Sequence, residues 1–203
     1  MSKPFLRGII VVVSILSAGL LSSVNAQKLA IKNNLLYDVT GTPNISLELL
    51  TGERWTTELT LGFKPFPMYN PFDYRQDVDK RQKHLLIEPA LRYWICSPWA
   101  EFFVSGNAFW THYNIGGYKM PLGLMFTEVE NRRFQGDAIG AGLSAGYAWI
   151  LGKRWNFEVE LGVDVGYTWY GRYECAHCGI LFANEDKFFV TPKAGINFVY
   201  FIK

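Results

Sequence analysis

The sequence predicts an all-β fold, an eight-stranded antiparallel up-and-down transmembrane β-barrel with short periplasmic turns and longer extracellular loops. Three observations carry that prediction. Apolar and polar residues alternate strictly over long stretches. An export signal is followed by no apolar run long enough for a membrane helix. The connections between alternating segments are short and long in turn.

The alternation is clearest in Trp55-Thr-Thr-Glu-Leu-Thr-Leu-Gly-Phe63 and in Trp155–Trp169, where Trp155, Phe157, Val159, Leu161, Val163, Val165, Tyr167 and Trp169 form one row. The other row is Asn156, Glu158, Glu160, Gly162, Asp164, Gly166 and Thr168. A period of two puts these rows on opposite faces of a strand. Aromatics at both ends of the apolar row match the girdles of a membrane-spanning strand, and small or charged residues match its lumenal face.

Residues 1–26 read as a secretory signal peptide: Lys3 and Arg7 precede an apolar run from Gly8 to Leu21, and Val24-Asn25-Ala26 forms a small-residue cleavage site. That run is shorter than the roughly 20 residues a spanning helix needs. The next residue is Gln27, not the Cys of a lipid-anchored N-terminus. Residues 27–203 then form one barrel domain. Without Lys3 and Arg7 the formal charge falls from +2 to zero, which argues against a nucleic-acid partner held by phosphate contacts. An exported chain that enters a bilayer without a helix must close its strands into a barrel, so that every backbone group is paired. The expected location is the cell outer membrane, with outer-membrane lipid as a partner and no cofactor. Aromatics at 16% of the chain fit that class.

Taken in order, the strands are expected at 28–37, 44–51, 55–63, 84–94, 100–113, 135–151, 155–170 and 188–202. The first turns Leu29, Ile31 and Leu35 outward, the second Ile45, Leu47 and Leu49, and the third the row from Trp55 to Phe63. The fourth presents Leu85, Ile87, Pro89, Leu91 and Tyr93. The fifth presents Phe102, Val104, Gly106, Ala108 and Trp110, but Phe103 and Phe109 interrupt its polar face. The sixth turns out Ile139, Ala141, Leu143, Ala145, Tyr147 and Trp149, and the eighth Val190, Pro192, Ala194, Ile196, Phe198 and Tyr200. Trp55, Trp110, Trp149, Trp155 and Trp169 are the expected interfacial aromatics. Short connections at 51–54, 95–99 and 152–154 alternate with longer ones at 38–43, 64–83, 114–134 and 171–187, which places both termini in the periplasm.

An exported soluble barrel would show the same alternation with its faces reversed. The acids decide between them. Glu58, Glu88, Arg92, Glu158, Glu160, Asp164 and Lys193 share one parity with glycines, a poor lining for an apolar pocket and an ordinary filling for a narrow eight-stranded lumen. Buried charges must pair, and Arg92 and Lys193 are the natural partners of the acids.

Gly52-x-Arg54-Trp55-x-x-Glu58-x-x-Leu61-Gly62 recurs one hundred residues on as Gly152-x-Arg154-Trp155-x-x-Glu158-x-x-Leu161-Gly162. Duplication of a four-strand half and a shared solution to the same interfacial turn both account for it. Cys175-Ala-His-Cys178 is the one compact reactive cluster, read as a loop disulfide, half of a metal site or free thiols, with the disulfide preferred in an exported protein. Cys96 then stands alone. His112 has no Ser two residues away and no acid nominated to orient it, so it reads as an interfacial residue beside Trp110 and Tyr113, and the chain as non-catalytic. His84 reads as a rim residue. The loop 64–83, with Pro65, Pro67, Pro71, Tyr69, Phe72 and Tyr74, suits either a partner surface or headgroup packing.

Asn34-Leu-Leu-Tyr-Asp38 with Thr42-Pro-Asn44, then Glu88-Pro-x-Leu-Arg-Tyr-Trp94, Tyr113-Asn-x-Gly-Gly117, Gly146-Tyr-x-Trp-x-Leu-Gly-Lys-Arg-Trp155 and Tyr173-Glu-Cys-x-x-Cys-Gly179, occur in that order. In these motifs the chain resembles the domain of unknown function 3575 family, small outer-membrane proteins of Bacteroidota. The resemblance covers the mature chain. It implies an exported, membrane-associated protein with no established reaction, and by analogy a surface-assembly protein as partner, fimbrial assemblies included. The expected function is that of a non-catalytic barrel acting through its extracellular loops or anchoring such an assembly. The alternatives are an outer-membrane lipid-modifying enzyme and an exported soluble ligand-binding barrel.

Overall fold

A computed structural model of the chain describes residues 29–39, 42–64, 81–117, 126, 128–175 and 179–202. Eight strands run in order: β1 (Leu29–Asn34), β2 (Asn44–Leu50), β3 (Trp55–Lys64), β4 (Arg81–Trp94), β5 (Glu101–Gly116), β6 (Arg133–Ile150), β7 (Trp155–Tyr173) and β8 (Leu181–Ile202). Among the described residues one helix, α1 (Leu35–Val39), follows β1. Each strand pairs antiparallel with the next, and β1 pairs with β8, so one up-and-down sheet closes into a ring. No described helix is long and apolar enough to cross a membrane.

The faces follow the alternation. Leu143, Leu161 and Phe188 point outward at 75%, 65% and 83% exposure, while Glu48, Glu158, Arg92 and Lys32 are buried inside. Two aromatic clusters close the ends of the lumen. At the end bearing the short turns, Trp94, Trp99, Phe103, Val199 and Phe201 pack together. At the opposite, loop end, Tyr113, Phe126, Phe134, Tyr170 and Phe189 do the same. Trp99 enters from the β4–β5 turn at a φ of 61°, and its carbonyl accepts a hydrogen bond from the Asn156 amide at 2.5 Å.

Phe103 and Phe109 are no flaw in β5. Both point inward, over glycines of β6: a Cβ on Gly146 would lie 2.3 Å from the Phe103 ring, and one on Gly140 2.5 Å from the Phe109 ring. Bare backbone opposite a large ring lets a narrow lumen hold aromatics at close-packed density.

The structure corrects several element boundaries. The first strand stops at Asn34 rather than 37, because the Asn34 side chain accepts from the Leu36 N–H at 3.0 Å and turns the chain into α1. Leu35 therefore belongs to the helical turn and not to an outward row. The seventh and eighth strands run on through most of the expected loop 171–187, leaving 174–180 as the connection. Strands four, five and six likewise extend outward beyond 84, 113 and 135.

The two echoed hairpins have one geometry. Thr51 and Gly52 N–H both donate to the Trp55 carbonyl at 2.9 and 3.1 Å, and Leu151 and Gly152 N–H to that of Trp155 at 3.0 and 3.2 Å. Trp55 packs on Tyr93 at 4.9 Å and Trp155 on Tyr200 at 4.8 Å.

Candidate functional site

Period two forces the polar rows of β1 to β4, β7 and β8 into the lumen, where they meet in one charge network. Lys32 Nζ pairs with Glu48, with Glu58 at 3.3 Å and with Glu158 at 2.8 Å. Arg92 reaches Glu58 at 2.9 Å, Glu158 at 2.9 Å and Glu160 at 2.7 Å, with its guanidinium 4.5 Å from the centre of the Phe103 ring. Lys193 pairs with Glu88 and lies 3.6 Å from Glu160, which also accepts from the Ser144 hydroxyl at 2.5 Å. Asp164 accepts from the Asn107 amide at 3.1 Å. Multiple charge-assisted bonds offset the desolvation of each group, which a lone buried pair could not do. About 20 Å³ of space remains where Asn34, Tyr37, Glu58, Glu88, Arg92 and Lys193 meet.

All seven expected lumenal residues point inward, Glu58, Glu88, Arg92, Glu158, Glu160, Asp164 and Lys193. Lys32 and Glu48 were not among them. Their signal was present, since Lys32 shares the parity opposite Leu29 and Ile31, and Glu48 that opposite Leu47 and Leu49. Trp55, Trp149, Trp155 and Trp169 are exposed on the outer wall, and Trp110 is half-buried there. The pairing expected of Cys175 and Cys178 lies outside the described residues, because Cys178 is not among them. The prolines and aromatics of 65–80 also lie outside. Cys96 is exposed in the β4–β5 turn. Among the described residues, no group of three His, Cys, Asp or Glu side chains is placed to hold a metal ion.

The outer wall carries a second polar feature at the loop end. His112 and Asp137 are cross-strand partners, and His112 Nδ1 lies 3.0 Å from Asp137 Oδ1. The acid that orients this His comes from the next strand, at a register position no local motif reveals. Trp169 and Asp186 continue the same row around the ring. Together they border a depression of about 470 Å³ whose lining, among the described residues, contains no Ser, Thr or Cys.

Residues 10–202 match the profile of the family described as Protein of unknown function (DUF3575). No curated protein and no solved structure matches the chain.

Proposed function

The chain belongs to the DUF3575 family of proteins of unknown function, and from that premise we propose that it is a small, non-catalytic β-barrel of the outer membrane, acting through its outer loops or as the membrane anchor of a surface assembly. One observation carries the reading: apolar side chains cover the outside and charges fill the inside. In water this partition would be unfavourable, since exposed apolar surface costs about 25 cal/mol per Å² and soluble monomers seldom expose large contiguous patches. In hydrocarbon it is the stable one. Membrane fractionation tests it: the protein should pellet with membranes and need detergent to dissolve, and recovery in the aqueous fraction after lysis overturns the reading.

The removal of residues 1–26 on export and the periplasmic placement of the short turns belong to the same proposal. A membrane strand needs roughly 9–11 residues, whereas β7 and β8 contain 19 and 22. Their surplus stands beyond the bilayer as a hairpin, and a rigid hairpin bearing a short loop is a suitable recognition element. A pull-down from native membranes should recover a surface-assembly protein, and its loss on trimming 174–180 would tie the contact to that tip.

A second reading, a lipid-modifying enzyme, is favoured by the His112–Asp137 pair, which has the geometry of an oriented base. Among the described residues, the lining of that depression offers the base no hydroxyl or thiol of Ser, Thr or Cys. Lipid mass spectrometry of a deletion strain decides: altered lipid A supports the enzyme, and unchanged lipid A removes it.

A further inference from the structure

At the loop end the lumen opens into a cavity of about 300 Å³. Its walls include the rings of Tyr37, Phe109 and Phe189, and Glu88 and Asp164 also line it. Beside Asp164, the buried Asn107 has a carbonyl oxygen without a hydrogen-bond partner. The central network holds six carboxylates, Glu48, Glu58, Glu88, Glu158, Glu160 and Asp164, against Lys32, Arg92 and Lys193. Lys64, buried at the outer end of β3, is a further cation there, and Lys187 lies 4.3 Å from the centre of the Phe126 ring at the loop end. Aromatic faces, the Asp164 carboxylate and the open Asn107 acceptor beside it together describe a site for an organic ammonium group, which binds to ring faces and carboxylates at once.

The wall beside this cavity is interrupted twice. β4–β5 pairing stops at Ile87–Trp110 and resumes at Ala90–Asn107, because Pro89 has no N–H to donate. Glu88 and Phe109, which line the cavity, sit at that break. The second interruption is larger. β1 and β2 have only six and seven residues, so β8 from Leu181 to Gly195 pairs with β7 on one side and, among the described residues, with no strand on the other, α1 packing against it. Ile196 N–H points to the β1 side, toward Asn34 Oδ1. Four residues away the alternation directs the Pro192 nitrogen to the same side, where a missing donor costs no ladder bond. Phe189 and Thr191, lining the cavity, flank this edge.

We propose that the cavity binds the ammonium head of an amphiphile, admitted sideways from the bilayer past the stretch of β8 that no described strand pairs, with its apolar tail left beside it. Asp164 holds the charge, with the Asn107 carbonyl oxygen beside it, and Tyr37, Phe109 and Phe189 enclose it. The proposal rests on the membrane reading, and its test separates the two. The barrel is reconstituted in nanodiscs of phosphatidylcholine and phosphatidylglycerol with phosphatidylethanolamine added, and lipid retained on its release is identified by native mass spectrometry. One phosphatidylethanolamine per barrel is expected. Asp164→Asn, and separately Thr111→Trp, which fills the cavity, should each reduce retention at least about tenfold, as loss of a buried charge partner does. Heat-dependent gel migration verifies that each variant is folded, and the isosteric Asp164→Asn keeps the test open if the tryptophan prevents assembly. A second arm titrates spermidine into nanodiscs lacking phosphatidylethanolamine. Binding of spermidine without retention of the lipid overturns the lateral route. Entry into nanodiscs with neither ligand bound, or with both variants like the parent, overturns the site alone. A barrel that never enters the nanodisc overturns the membrane reading and this inference with it.

Discussion

Glu58 and Glu158, one hundred residues apart and at the same place in two echoed hairpins, close on the same two cations. Glu58 lies 3.3 Å from Lys32 Nζ and 2.9 Å from Arg92, and Glu158 lies 2.8 and 2.9 Å from them. The repeat in the sequence thus becomes a pair of opposed carboxylates across the lumen. Their energies cannot be independent. Glu58→Gln and Glu158→Gln, measured singly and together by urea unfolding in lipid vesicles, should show a coupling of about 0.5–3 kcal/mol. Strict additivity would show that the shared cations do not link them.

Arg92 bonds three carboxylates inside the ring. Replacing it with Met leaves Glu58, Glu158 and Glu160 short of one cation, and removal of one partner from a buried ionic cluster costs about 3–5 kcal/mol. The expected outcome is a lower urea midpoint for the folded band. The same substitution at the solvent-exposed Arg154, which donates to the Tyr200 hydroxyl at 3.2 Å, should be nearly silent.

Leu161→Arg puts a guanidinium on the outer wall, on a side chain 65% exposed. Near a bilayer midplane the change should destabilise insertion by about 2–4 kcal/mol. Refolding into vesicles measures it, and assembly equal to the parent's would contradict a hydrocarbon-facing wall.

Gly146→Val sets a side chain against the Phe103 ring and should cost about 1–3 kcal/mol of stability. Phe103→Ala in the same chain should recover only part of that loss, because the ring supplies one side of the clash and the Val159 carbonyl oxygen, 2.5 Å from the new Cβ, the other. Thermal melts of the two single variants and the double variant provide the comparison.

Cys96 is exposed in the β4–β5 turn, and a hydrogen bond with Glu101, strengthened by the charge of that carboxylate, raises its thiol pKa above the ordinary value. A raised pKa means less thiolate at neutral pH and slower alkylation. In a chain with Cys175→Ser and Cys178→Ser, Glu101→Gln should therefore speed iodoacetamide labelling. In intact cells an impermeant maleimide should reach Cys96 only after the outer membrane is permeabilised, and labelling without that step would reverse the orientation.

The strand count, the ring order and the facing of each row were legible because a period of two needs no knowledge of neighbours. Relationships across strands were not. Phe103 and Phe109 look like errors in β5 until the register sets Gly146 and Gly140 opposite them. Asp137 stands 25 residues from His112 and meets it only through the β5–β6 pairing. The outer end of β8 was hidden for a different reason: Asn184, Glu185, Asp186 and Lys187 have loop-like polarity, yet they form strand because β7 extends equally far beside them. Leu35 and Leu36 continued an apolar pattern while Asn34 supplied the local bond that ended it.

The rings lodged over glycines bear on how the cylinder zips shut. If β5 slid by two residues against β6, Phe103 would meet Ser144 or Ala148 in place of Gly146, and its phenyl group would strike a methylene or methyl where bare backbone now receives it. Such a slip preserves which side of the ribbon is oily, so hydropathy alone does not forbid it. Steric mismatch does, and it leaves the growing cylinder a single permitted shear.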